Sequence, residues 1–419
     1  MHRSSLVRSL SLAALSVTCA VACHDWESLS SQYGSDSGAS PAACIAFVVT
    51  GNTGTCARRT DGTLLCWGDN RYGQLGLGDT IAHDGPQLVQ GPWPGVSKVF
   101  LPPGTGDLTA SESVFTCVID TQGTLWCWGD NAYGQLGDGT TTERTVPTKV
   151  MGLVKVTHAC TGASHTCAGT SDGNLWCWGS NANGQLGTGD NVDHHTPAMV
   201  DMSALGSSDG GMAASIDSLQ CGAKHTCAHR TDGTMWCWGD NSYGQLGDGT
   251  MTSRNKPVQV AMLGNTVGRL GTGGTHTCAF TKADGAVWCW GNNQSGQLGV
   301  GDMVGRPVPT KLNGLPAVNQ VWTGGAHTCA LDTGGTLYCW GDNAFGQLGT
   351  GDKAVHDVPV PASPAVAAQA VAGANAGGGH TCAMRTDGAV LCWGNDQYGQ
   401  LGVSVHSTLD PVTVFPKCP

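Results

Sequence analysis

The stretch HTCAGTSDGNLWCWGSNANGQLG, residues 165–187, decides the reading of this chain, because its first part returns almost unchanged as HTCAHRTDGTMWCWG at 225–239. Its closing Gly-Gln-Leu-Gly occurs seven times, with the first glycine at Gly73, Gly134, Gly184, Gly244, Gly296, Gly346 and Gly399. Asn stands three residues ahead of that glycine in six copies and Asp396 in the seventh. Copies spaced 50 to 61 residues apart mark one supersecondary unit repeated around a fold. Inside the unit, Ser171-Asp172-Gly173 or Thr231-Asp232-Gly233 separates two strand-like runs, which is hairpin text. The copies run from about residue 44 onward without a linker, so one large all-β body is expected where 419 residues could have made two or three domains.

Composition points the same way. Charged residues are 12 % of the chain, about half the usual share, and there are 64 glycines, as many short strands joined by tight turns require. The formal charge of −11 comes with only 20 Lys and Arg, scattered along the chain. A nucleic-acid or anionic-membrane binder would cluster them, so neither is an expected partner.

Arg3 and Arg8 precede an apolar run from Leu10 to Ala22, too short to span a bilayer but suited to the core of a signal peptide, so residues 1–22 are expected to be cleaved. Ala20-Val21-Ala22-Cys23 satisfies an A-x-A cleavage site and also resembles the lipobox of bacterial lipoproteins, in which Cys23 would carry the lipid. Ala20 stands where Leu is usual there, and Cys19 precedes it. Plain secretion is the alternative. Residues 23–43 are Ser, Gly and small polar residues without a period, expected as a flexible tether between an anchor and the repeat-built body at 44–418.

Fourteen of the twenty cysteines fall in hairpin pairs: Cys56-Cys66, Cys117-Cys127, Cys167-Cys177, Cys227-Cys237, Cys278-Cys289, Cys329-Cys339 and Cys382-Cys392. The turn between partners folds the flanking strands antiparallel and sets the cysteines opposite each other, where a disulfide can form. Zinc competes poorly, since no C-x-x-C pair occurs and the intervening loops carry no consistent further ligands. Disulfides imply an oxidising compartment. Overlaying the terminal copies on the third puts Cys418 level with Val154 and Cys44 level with Lys155, which are chain neighbours. The two ends should therefore meet, with Cys44-Cys418 as a clasp on a ring otherwise closed by terminal strands that complete one sheet. Cys160 and Cys221 share a register that would let them pair across adjacent repeats.

The text G-x-x-H-T-C-A followed by D-G-x-x-W-C-W-G-D-N-x-Y-G-Q-L-G resembles the regulator of chromosome condensation repeat family over essentially all of residues 44–418. The resemblance implies an all-β, seven-bladed β-propeller of four-stranded antiparallel blades, here stapled by disulfides. It is nearest in character to bacterial secreted, cysteine-paired seven-repeat propellers, which look like binding or display proteins. The nucleotide-exchange activity implied by the family name finds no matching residues here. Reading the third repeat directly gives strands near 153–159, 165–169 and 174–178 and an edge strand near 197–202.

Several residues invite a functional reading. His165, His225, His276, His327 and His380 share one place in their repeats, with Gly54 and Phe115 in the other two. A metal or catalytic ring would spread them over separate blades, so a buried imidazole tying a strand to a turn is the structural expectation. Trp126, Trp128, Trp176, Trp178, Trp236, Trp238, Trp288 and Trp290 alternate with cysteines, so each repeat's indoles share a face; packing between blades competes with carbohydrate stacking. Asp130-Asn131 lacks the alternating oxygens of a calcium loop, and His194-His195 is expected to be a solvated loop pair. No nucleophile elbow, metalloprotease helix or phosphate loop is present, and no cofactor or metal is expected.

Departures from the repeat carry the rest. Insertions at about Pro102–Ser113 and Ser203–Ser215 should emerge on opposite faces, and Gly91-Pro92-Trp93-Pro94-Gly95 offers Trp93 as a candidate binding anchor, with packing on the propeller side as its alternative. The expected function is a non-enzymatic extracytoplasmic interaction module, a monomer bound to the membrane only through its N-terminal lipid, with an extracellular or envelope protein as partner. A glycan-binding propeller is the alternative, followed by an extracellular polysaccharide lyase.

Overall fold

In the computed structural model the described residues are 43–104, 114–205, 216–261, 263, 267–363, 370–403 and 407–418. Cys23, the segment 1–42, and most of both insertions (105–113 and 206–215) lie outside them.

Seven four-stranded antiparallel sheets follow one another, each made of four consecutive strands. The third blade is typical: Val156–Thr161, His165–Thr170, Leu175–Gly179 and His194–Met199. Its second and third strands are joined at Gly173, where φ is 84° and the Gly173 amide donates to Thr170 O. Such a turn closes a hairpin when a glycine takes the left-handed position. Gly179 also needs to be glycine: at φ 102° an added Cβ would stand 2.5 Å from Ser164 O. The edge strand starts three residues earlier than the sequence reading, at His194, because Pro197 sits within it; an edge strand tolerates a residue without an N–H. His194 and His195 are thus strand residues, and His194 Nε2 lies 3.6 Å from Asp190 Oδ2.

The core lies between blades. Each of seven apolar clusters combines the cysteine-bearing face of one blade with the tryptophan-bearing face of the next, for instance Cys329, Leu331, Cys339 and Leu348 against Ala383, Leu391 and Trp393. Trp67, Trp128, Trp178, Trp238, Trp290, Trp340 and Trp393 are wholly buried in these seams. The seven hairpin cysteine pairs sit opposite each other with Cα atoms 4.1 Å apart.

Blades one (Ile45–Thr50, Gly54–Arg59, Leu64–Gly68, His83–Val89) and seven (Val371–Ala376, His380–Arg385, Val390–Asn395, Ser407–Phe415) are each complete in themselves. This corrects the expectation that both termini would complete one sheet. The seventh copy already supplies all four of its own strands, so closure is a packing seam like the others. Cys44 and Cys418 bridge that seam, with Cα atoms 5.6 Å apart.

Candidate functional site

Gly-Gln-Leu-Gly is the lock of each seam. In the second blade, Gln135 O accepts hydrogen bonds from Thr166 Oγ1 (2.8 Å) and Trp178 Nε1 (2.9 Å) of the third blade, while Leu136 is buried. The motif's last glycine, Gly137, touches the same indole so closely that a Cβ would come within 2.6 Å of its nitrogen. Its first glycine, Gly134, lies as tightly against His195 on the next blade's edge strand.

The five histidines extend this lock. His165, His225, His276, His327 and His380 are fully buried, and each Nε2 lies 2.8–3.0 Å from a threonine hydroxyl of the following blade: Thr226, Thr277, Thr328, Thr381 and Thr55. Each hydroxyl spends its one proton on a glutamine carbonyl, as Thr226 Oγ1 does on Gln185 O, so it accepts from the imidazole and fixes the Nε2–H tautomer. The imidazoles are buried as the sequence reading expects, and the partner they hold is the hydroxyl of a strand of the following blade. Burial holds their pKa values at about 3 (His165, His276, His380) or about 4 (His225, His327). They are neutral structural groups at physiological pH.

With these repeated residues consumed in packing, two surfaces among the described residues carry apolar side chains beside charged ones. The first strands of all seven blades line a central channel of about 610 Å³. Its wall carries Phe47, Phe100 and Trp322 beside Lys98, His158, Arg269 and Asp217. Lys98 Nζ donates to Thr157 O at 2.8 Å, and burial followed by the nearby Arg269 charge pulls the Lys98 pKa down. Asp217 Oδ2 lies 3.0 Å from the buried His229 Nδ1, and burial followed by Lys98 lowers the His158 pKa while Asp217 opposes them. Among the described channel residues Asp217 is the one carboxylate.

The second surface is a rim of loops. Because consecutive strands run antiparallel, the connections between first and second strands and those between third and fourth strands leave on one face. There the loop tips of five blades present Ile81, Val192, Met251, Val304 and Val355, which are 43 to 66 % exposed. Beside them lie the ion pairs Arg254–Asp248 (3.0 Å) and Arg306–Asp302 (2.6 Å). Sequence reasoning passed over these tips; the available signal was an apolar residue recurring four to six positions after Gly-Gln-Leu-Gly.

Trp93 is half-buried in the first seam, stacked on Trp128 with ring centroids 5.9 Å apart and edge-on to Trp126 at 6.1 Å. It therefore packs on the propeller side. Pro102 and Pro103, counted with the first insertion, are buried; Leu101 and Pro102 lie beside Gly54, where the first blade lacks the histidine, and Pro103 lines the channel. Met202–Leu205 forms a short 3-10 helix at the start of the second insertion. Cys160 and Cys221 pair across the third and fourth blades, with Cα atoms 5.4 Å apart.

Comparison with known proteins bears on the same residues. The Regulator of chromosome condensation (RCC1) repeat matches at residues 61–99, 122–168, 172–229, 232–280, 284–331 and 334–384. The ultraviolet-B receptor UVR8 of Arabidopsis thaliana is 31 % identical over 274 residues, 65 % of this chain and 58 % of that protein. The human E3 ubiquitin-protein ligase HERC2 is 29 % identical over 293 residues, 69 % of this chain but 5 % of its own length. The chain thus spans under two thirds of these relatives. Human WBSCR16 superposes with a TM-score of 0.73 at 21 % identity, covering 84 % of this chain and 94 % of its own. Yeast Prp20p gives 0.70 at 20 %, covering 89 % and 88 %, and its structure was described with its binding to Gsp1p and histones. With the repeat spanning most of the chain and the seven-bladed ring it forms, this protein belongs to the regulator of chromosome condensation (RCC1) repeat family.

Proposed function

We propose that this chain is a non-catalytic protein-interaction module acting outside the cytoplasm. The carrying observation is the rim of apolar loop tips on one face, Ile81, Val192, Met251, Val304 and Val355, set among ion pairs. Mixed apolar and charged surface of this kind suits a protein partner, with apolar anchors at the centre of contacts and a polar surround. A related propeller, Prp20p, is described as binding proteins. A glycan partner would favour a row of exposed aromatic rings; among the described residues the strongly exposed large hydrophobic side chains include one aromatic, Tyr133.

Placement outside the cytoplasm rests on nine cysteine pairs at disulfide distance, bonds that persist in oxidising compartments. Residues 1–22 then act as the export signal and Cys23 as the lipid attachment point, with 23–43 as the tether. The test combines Ile81→Glu, Val192→Glu and Val304→Glu in the oxidised full chain used as bait on the source cell envelope. Loss of a specific bound protein with an unchanged melting temperature supports the reading; equal capture by the variant refutes it. Cys23→Ser should release folded protein into the medium, and continued membrane retention would refute the lipid anchor.

A further inference from the structure

In six blades the first-strand residue facing the hairpin cysteine is Val49, Phe100, Gln220, Gly271, Trp322 or Asn375. In the third blade it is Cys160, so Cys167 has a cysteine directly opposite on both sides, Cys160 and Cys177. Cys221 arrives from the fourth blade, and the sulfurs of Cys160, Cys167 and Cys221 all lie within 4.8 Å of one another. The Cys160–Cys221 pair lines the channel and keeps 5 % and 4 % exposure, whereas Cys167 and Cys177 are at 0 %. Two disulfides are therefore in contact, one reachable from solvent and one sealed behind it.

We propose that these four cysteines form a disulfide-exchange relay served through the central channel by an anionic low-molecular-weight thiol. The incoming thiolate attacks Cys221 Sγ, forming a mixed disulfide and breaking the Cys160–Cys221 bond, whose electron pair leaves on Cys160. The Cys160 thiolate attacks Cys167 Sγ, forming Cys160–Cys167 and breaking Cys167–Cys177. The electron pair now resides on Cys177, which takes the proton that the incoming thiol lost. The number of disulfides is unchanged, and a second molecule of the thiol removes the first from Cys221 as the small disulfide. Exchange needs a thiolate and access. Lys98 and Arg269 on the channel wall favour the approach of an anionic thiolate. The channel, about 610 Å³, has the size of a pocket that takes a small organic molecule.

The test titrates the oxidised full chain with reduced glutathione, quenches with acid, alkylates, and maps peptides without reduction. The expected products are glutathione on Cys221, a Cys160–Cys167 cross-link and alkylated Cys177, all appearing before any other hairpin pair opens. Cys177 remaining unlabelled until the other hairpins open overturns the relay. In a folded Cys221→Ser variant the free thiol should divide between Cys160 and Cys177; a thiol confined to Cys160 overturns it equally. Should that variant fail to fold, the glutathione titration decides alone.

Discussion

The buried histidines make a quantitative claim about acid. In the unfolded chain their imidazoles regain an ordinary pKa of about 6.5, while the folded protein holds them at about 3 to 4 through burial. A depressed native pKa means that the unfolded state binds more protons between those values. Stability must therefore fall as pH drops from about 6.5 towards the native values. At pH 5 an unfolded imidazole lies about 1.5 pH units below its pKa, so each histidine costs about 2 kcal/mol and five cost on the order of 10 kcal/mol. This figure depends little on the native values, provided they lie well below 5. Aspartates separate from this effect. In Asp138 and Asp248 burial pulls the pKa upward, but hydrogen bonds from Thr140 and Arg144, and from Thr250 and Arg254, outweigh it. Their stabilisation is still present at pH 5 and is lost only as pH falls through the carboxylate range. The assay is guanidinium unfolding with disulfides intact, followed by tryptophan fluorescence at pH 7 and pH 5. His276→Gln keeps a donor for Thr328 but does not titrate, and should shrink the loss between the two pH values by about 2 kcal/mol. A wild-type midpoint that does not move, or a variant with the full wild-type loss, would refute the reasoning.

Three further outcomes follow from the seams. Thr328→Val removes the acceptor of His276 and the donor to Gln297 O, both buried, and should cost about 2 to 4 kcal/mol by chemical denaturation. Replacing 105–113 by a short Gly-Ser link should change stability by under about 1 kcal/mol, since loop length costs little; starting the cut at buried Pro102 should cost visibly more. Cys418→Ser should lower stability by about 6 kcal/mol in the chain-entropy account and expose one titratable thiol at Cys44, read by denaturation and thiol labelling.

What was legible in the sequence was whatever recurs at the repeat's own period. Hairpin text fixed the cysteine partners because ten or eleven residues and one turn separate them. The same periodicity hid the direction of the longer bonds. Thr166 reaches Gln135 O across 31 residues, and His165 reaches Thr226 across 61. A repeat specifies that such partners exist at every seam without saying whether they are its own or its neighbour's. The third blade's edge strand begins before its sequence reading for a local reason, since Pro197 reads as a strand boundary until the strand is seen to lie at the sheet's edge. Channel residues were illegible because one comes from each blade: Lys98, His158, Asp217 and Arg269 become neighbours only when seven first strands converge.

Closure shows why a clasp belongs where it is. Six seams join blades that are already consecutive in the chain, so a blade that swings away there remains tethered to its neighbour. The seventh seam has the same lock, with His380 Nε2 at Thr55 Oγ1, Thr55 Oγ1 on Gln400 O, and Trp67 Nε1 on Gln400 O. It lacks the tether, because among the described residues each terminal blade is built from its own four strands. In a linear array of repeats, fraying begins at such free ends. A bond between Cys44 and Cys418, 374 residues apart, restores the missing covalent step and makes all seven seams equivalent in connectivity. The ring then opens only by breaking a tethered seam, so the rigid support beneath its loops no longer depends on packing at one weak joint.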